Sequence, residues 1–111
     1  MSLKRKWPLS WKISDVAWTI FYHPEVKDDF RRLGRTEAKA IQKVIEQRLA
    51  QGEPDKAGKP LSGDLSGLRR LRTGQTRIVY KLDGKRIEVL VLAVGHRRDD
   101  EIYEKAQRRV K

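Results

Sequence analysis

LRRLRTGQTRIVYKL at residues 68–82, followed by the pair DG at 83–84 and by KRIEVLVLAVG at 85–95, is the stretch whose reading decides the fold. Ile78, Val79, Ile87, Val89, Val91 and Val94 form a β-branched spine suited to a pleated, buried surface. Arginines stand at the beginnings and ends of this spine, and an arginine on a sheet is almost never buried without a partner. The pattern reads as a rigid platform presenting cations to a polyanion. Strands are expected over 68–72, 77–82 and 85–94. The DG pair joins the last two, because glycine tolerates the positive φ of a tight hairpin turn.

Alternation along a strand puts Leu68, Arg70 and Arg72 on one face and Arg69 and Leu71 on the other. Arg77, Val79 and Lys81 likewise share a face. A tight turn through Thr73 and Gln75 brings Arg72 opposite Arg77, with Arg70 one pleat further in. Like charges facing each other destabilise a sheet by up to about 1 kcal/mol per pair, so the cluster is most simply explained by an anion bound there. The structural alternative is that Arg72 is buried against a carboxylate such as Asp64 or Glu88.

Working outward, VAWTIFY at 16–22 carries a strand signal. Pro24 suits the first position of a helix, with Glu25, Asp28 and Asp29 near its positive end and Gly34 as its C-terminal cap. Val26, Phe30 and Leu33 form its inward stripe. Thr36 reads as the N-cap of a second helix whose apolar face is Ala38, Ile41, Val44, Ile45 and Leu49, ending near Gly52. The two helices pack as an antiparallel hairpin whose charged faces, Lys27, Arg31, Lys39, Lys43 and Arg48 among them, read as solvated surface. Residues 52–67 are rich in Gly, Pro, Ser and Asp and read as one long loop. A third helix is expected from Asp99 or Asp100 to about Val110. Residues 1–15 read as a flexible basic arm; the alternative is an arm whose tryptophans, Trp7 and Trp11, stack on bases. Residues 16–111 then form a single domain. The expected architecture is α+β and two-layered: a mainly antiparallel, four-stranded sheet in the order β-α-α-β-β-β-α, with helices on one face and the other open to a partner.

Composition narrows the function. Of 111 residues, 26 are Lys or Arg and 15 are Asp or Glu, a formal charge of +11 that points to nucleic acid, an acidic membrane surface or an acidic protein. The absence of cysteine excludes disulfides and cysteine-based metal sites, and two histidines are too few for a zinc site. No metal or other cofactor is expected. No segment approaches the roughly 18 apolar residues of a membrane span, and the expected location is the cytoplasm.

The final strand delivers Gly95, His96, Arg97 and Arg98, and the helix after it carries Tyr103. The planar fork of arginine gives phosphate two parallel, charge-assisted hydrogen bonds, and a tyrosine ring stacks on a base. RLRTGQTRIVY at 70–80, the DG hairpin, and VLVLAVGHRRDDEIYEKAQRR at 89–109 together resemble the RelE/ParE superfamily of toxins from bacterial and archaeal toxin-antitoxin pairs. YHPEV at 22–26 and PLSGDLSGLRRLR at 60–72 extend the similarity from Trp18 to Arg109. The resemblance implies a fold related to small microbial ribonucleases. For the RelE branch it also implies ribosome-dependent cleavage of messenger RNA in the A site, by attack of a 2′-hydroxyl on the adjacent phosphate.

By motif position the resemblance implies that Arg77 stabilises the phosphate, Arg97 serves the leaving oxygen and Tyr103 orients or stacks the base. Arg69, Arg72, Lys81 and Arg98 are expected to bind RNA. Arg70 stands where the family has a lysine assigned as general base, and Leu68 where it has a second lysine. Arginine, with a pKa above about 12, is a poor base, and His96, with a reference pKa near 6.5, is the candidate to replace it. The implied partners are the ribosome, its messenger RNA and a cognate acidic antitoxin, without need of a homo-oligomer. The alternative within the same superfamily is a ParE-like inhibitor of DNA gyrase that acts by binding and has no nuclease activity.

Overall fold

The computed structural model describes residues 11–15 as backbone, and residues 18–96 and 101–110. The arginine-flanked hairpin lies within its sheet as two long strands. β4 (Leu68–Thr73) and β5 (Thr76–Asp83) pair antiparallel, Thr73 facing Thr76. The turn between them works because Gly74 supplies a φ of +58°. β6 (Glu88–His96) follows, and its buried run Glu88–Gly95 makes it the central strand, covered on both faces. On its far side lies β2 (Thr19–Tyr22), parallel to it, and outside that β1 (Trp11–Asp15). β3 (Lys59–Pro60) lines the opposite edge against β4. The sheet therefore has six strands in the order β1-β2-β6-β5-β4-β3, two more than expected. The additions come from Trp11–Asp15, inside the expected arm, and from Lys59–Pro60, inside the expected loop. Residues 1–10 of that arm lie outside the described residues.

α1 (Val26–Leu33) and α2 (Arg35–Ile45) pack on one face over Ile20, Tyr22, Leu71, Ile78, Tyr80, Val89, Val91 and Val94. Gly34, at a φ of 91°, ends α1 as expected, and it also occupies the N-cap of α2 that was assigned to Thr36. The apolar stripe of α2 continues through a π-helical turn, Glu46–Ala50, which lets Leu49 and Ala50 both be buried. The 52–67 segment holds a short helix α3 (Pro54–Ala57), β3 and a 3₁₀ turn at Gly63–Leu65.

α4 (Glu101–Arg109) crosses the other face, burying Ile102 and Ala106 against Phe21, Leu68, Val79, Leu90, Leu92 and Ala93. The expectation of helices on one face only is thus corrected, because the outward side chains of the central strands are as apolar as the inward ones and need cover. The DG hairpin also differs. The Asp83 carboxylate accepts hydrogen bonds from the amides of Lys85 (3.1 Å) and Arg86 (3.3 Å), and the Ile87 carbonyl accepts the Thr19 amide at 3.0 Å. These bonds keep Gly84–Ile87 out of the ladder, and the positive φ of 56° falls on Ile87. No helix among the described residues is long and apolar enough to cross a membrane.

Candidate nucleic-acid interface

The register of β4 on β5 sets out the site. Arg70 faces Val79 and Arg72 faces Arg77, so these arginines share the α4 side of the sheet with Leu68 and Lys81. α4 is anchored there by Ile102 and Ala106, which brings Tyr103, on its first turn, over the two strands. Arg70 and Arg77 both donate to the Tyr103 hydroxyl, at 3.3 and 3.5 Å, and the Arg77 guanidinium carbon lies 6.0 Å from the ring centroid, over its face. One phenol oxygen thus holds two guanidinium groups in place. The Nε atoms of Arg70 and Arg77 are buried without a hydrogen-bond partner among the described residues. No described carboxylate stands within ion-pair distance of Arg70, Arg72 or Arg77.

Arg72 is exposed, which removes the alternative of a buried pair with Asp64 or Glu88. With Gly74, Thr76 and Arg77 it lines a hollow of about 90 Å³ at the hairpin tip. Thr76, buried on the opposite side, donates to a Glu37 carboxylate oxygen at 2.9 Å and so ties the tip to α2. Arg48 and Lys59 border a second hollow of about 180 Å³ on the other flank of Arg72, together with Arg70. Sequence reading assigned Arg48 to solvent and Lys59 to a loop; only the return of 52–67 along β4 makes them neighbours.

Other expected site residues fall elsewhere. Arg69 points to the α1–α2 side, where it donates to the Gly58 carbonyl beside Tyr80, apart from the cluster of Arg70, Arg77 and Tyr103. Tyr80 in turn donates to the Pro54 carbonyl at 2.7 Å, and burial holds its hydroxyl above the usual tyrosine range. His96 pairs with Thr76 across β5 and β6, which by alternation puts it on the face of Ile78 and Val94, away from Arg70, Arg77 and Tyr103. The geometry does not support His96 as the base for that cluster. Leu68 is buried among Leu61, Leu65 and Ile102, so this position offers no room for a charged group. Lys81, opposite Leu68, is half-buried on the site face but two pleats beyond Arg77. Arg97 and Arg98 lie outside the described residues.

A family model described as the ParE toxin of type II toxin-antitoxin systems, parDE, matches residues 20–101. Toxin RelG of Mycobacterium tuberculosis is 40% identical over 84 residues, 76% of this chain and 95% of that protein. A chain of the RelBE2 toxin-antitoxin complex of M. tuberculosis superposes with a TM-score of 0.69 at 28% identity, covering 78% of this chain and 98% of that one. The E. coli toxin RelE in its free state, as an arginine-to-alanine double variant, gives 0.67 at 25% identity over 86% of this chain and 100% of that one. The fold is therefore RelE-like, and the molecule is a toxin of the RelE/ParE superfamily. The chain belongs to the ParE-toxin family of type II toxin-antitoxin systems.

Proposed function

We propose that this toxin is a ribosome-dependent endoribonuclease that cuts messenger RNA in the A site and so blocks translation. The observation that carries the reading is the convergence of Arg70 and Arg77 on the Tyr103 hydroxyl, on a face where no described carboxylate neutralises them. Fixed guanidinium groups suit the charge that develops on a phosphate in transfer, and the Tyr103 ring is placed to stack on a base. In this reading the 2′-oxygen of the bound nucleotide attacks the adjacent phosphorus while the bond to the 5′-oxygen breaks. The 2′-hydroxyl gives up its proton to water, and the leaving 5′-oxygen takes one up from water, leaving a 2′,3′-cyclic phosphate. Arg77 stabilises the phosphate, Arg70 holds the strand, and Arg97, by the family resemblance, serves the leaving oxygen. The described side chains at the cluster are arginines and a tyrosine, with no histidine or carboxylate, so the reaction draws on positioning and charge stabilisation. A reaction without a general base from the described residues forgoes roughly 10²- to 10⁴-fold in rate.

The net charge of +11 supports binding to the ribosome and to a cognate acidic antitoxin, and the similarity to a chain of a toxin-antitoxin complex supports the latter. Inducing the protein and mapping 5′ ends on a translated message is expected to show codon-phased cuts. Arg77→Gln lowers single-turnover cleavage by about 10²- to 10³-fold, and Arg97→Ala or Tyr103→Phe relieves growth arrest with the fold intact. Full toxicity in both of the last two would sink the assignment. The match to a family described as ParE favours a second reading, binding and inhibition of DNA gyrase; its signature is intact messages with DNA damage.

A further inference from the structure

We propose that the hollow bordered by Arg48, Lys59, Arg70 and Arg72 is a phosphate subsite for the RNA strand next to the cleaved bond, so that the strand leaves the site over the β4 edge toward the end of α2. This rests on the nuclease reading and extends its site beyond the arginines and tyrosine of the motif. The lining of the hollow, about 180 Å³ in volume, includes four basic residues and no carboxylate; the Arg70 guanidinium itself turns to the Tyr103 hydroxyl on the α4 side. None of the four forms an ion pair with a described carboxylate, in contrast to Arg31 and Arg32 of α1, which bond Asp28 and Asp29 at 2.9 and 3.2 Å.

The strand register makes the arrangement costly for folding alone. Lys59 faces Arg70 across β3 and β4, and Arg72 faces Arg77 across β4 and β5. Two like-charge pairs, set along one strand, each destabilise the sheet unless an anion lies between them. The register sets Lys59, Arg70, Arg72 and Arg77 on the α4 side, and Arg48, from the α1–α2 side, borders the hollow across the β4 edge. The backbone is shaped for the same place. Arg48 lies in the π-helical turn, whose Gln51 amide reaches back to the Glu46 carbonyl at 2.9 Å, and such turns occur often at functional sites. Gly58, on the floor of the hollow, has the Arg70 carbonyl 2.5 Å and the Tyr80 hydroxyl 2.7 Å from where a Cβ would stand, so the floor forms only with glycine.

The test measures binding, without ribosomes, of RNA oligonucleotides made uncleavable by a 2′-deoxy nucleotide at the cut position and lengthened one nucleotide at a time on either flank. Wild-type protein is expected to gain about 10-fold in affinity when one flank is lengthened past the hollow, and Arg48→Gln with Lys59→Gln to lose that gain while binding the shortest RNA unchanged. The slope of log affinity against log salt should fall by roughly 0.7 for each phosphate that the variant no longer neutralises. A matched pair at the far hairpin, Lys85→Gln with Arg86→Gln, should keep the length dependence. Equal losses in both pairs, or no length dependence in wild type, would overturn the subsite, as would a loss confined to binding of a poly-glutamate peptide. Both substituted side chains are exposed, and thermal unfolding checks that the fold is kept. Because no cleavage is read, a wild-type protein that binds in this way yet cuts no message refutes the nuclease and leaves the subsite standing.

Discussion

Arg69 and Arg70 are neighbours with opposite roles, and one peptide unit separates them. Alternation sends Arg70 to the Tyr103 hydroxyl and Arg69 to the Gly58 carbonyl on the other side of the sheet. The alternation was legible in LRRLR; what each side chain would meet was not, because Gly58 and Tyr103 lie 11 residues before Arg69 and 33 residues after Arg70. The same surroundings make Gly58 a sensitive position. Its φ of −108° is open to any residue, so the cost of a side chain there is steric. Gly58→Ala is expected to lower stability by about 1–3 kcal/mol, the usual cost of overpacking, measured by urea unfolding. An unchanged midpoint would show that the Arg70 carbonyl can move away. Ile87, 47% exposed and at a φ of 56°, shows the converse, a β-branched residue held in a conformation glycine prefers because its carbonyl is needed by Thr19.

Two helices meet across a strand that runs out of neighbours. β2 ends at Tyr22 opposite Val91, which leaves the next part of β6 without a ladder partner on that side. Asp29 of α1 accepts the Val94 amide at 2.9 Å, and Arg109 of α4 donates to the Leu92 carbonyl at 3.0 Å. The two side chains close on each other as a bidentate pair at 2.8 and 3.2 Å, both almost fully buried. Sequence reading assigned Asp29 to the dipole of its helix, and its partner 80 residues away was invisible to any local pattern. Asp29→Asn leaves the Arg109 charge buried with a weaker partner, and breaking such a pair costs about 3–5 kcal/mol. Because α4 also carries Tyr103, the variant should lose toxicity along with stability; full stability would show that Glu25, 3.6 Å from Arg109, takes over. The π-helical turn was equally illegible, since the burial of Leu49 and Ala50 and the bond from the Trp18 amide to the Ala50 carbonyl are tertiary.

Over the whole molecule, one part of the response to pH comes from a histidine packed between two helices. His23 lies between α1 and the end of α4, with Glu25, Asp29, Arg108 and Arg109 around it. Burial, and then the charge of Arg109, holds its imidazole below the ordinary value of 6.5. Its Nδ1 accepts the Glu25 amide at 3.1 Å, a bond that requires the neutral ring. The unfolded chain therefore binds a proton more readily than the folded one, so this group removes stability as pH falls through 6.5 and contributes none of the pH dependence well above it. Thermal midpoints measured from pH 7.5 to 5 should fall less steeply in His23→Gln than in wild type. Parallel curves would show that the acid sensitivity comes from carboxylates alone.

Periodicity and turn chemistry, which are local, determined the α+β class, the helical hairpin turning at Gly34, the β4–β5 pairing and the face shared by Arg70, Arg72 and Arg77. The motif around them was enough to place the chain in its superfamily. Tertiary structure decided which apolar face α4 would cover, that Trp11–Asp15 and Lys59–Pro60 would complete the sheet, and that His96 would stand apart from the arginines. It also brought Arg48 and Lys59 to the rim of the site and joined Asp29 to Arg109. Each of these depends on residues far apart in the chain meeting one another, where the free energy of burial and pairing, and not any local preference, selects the partner.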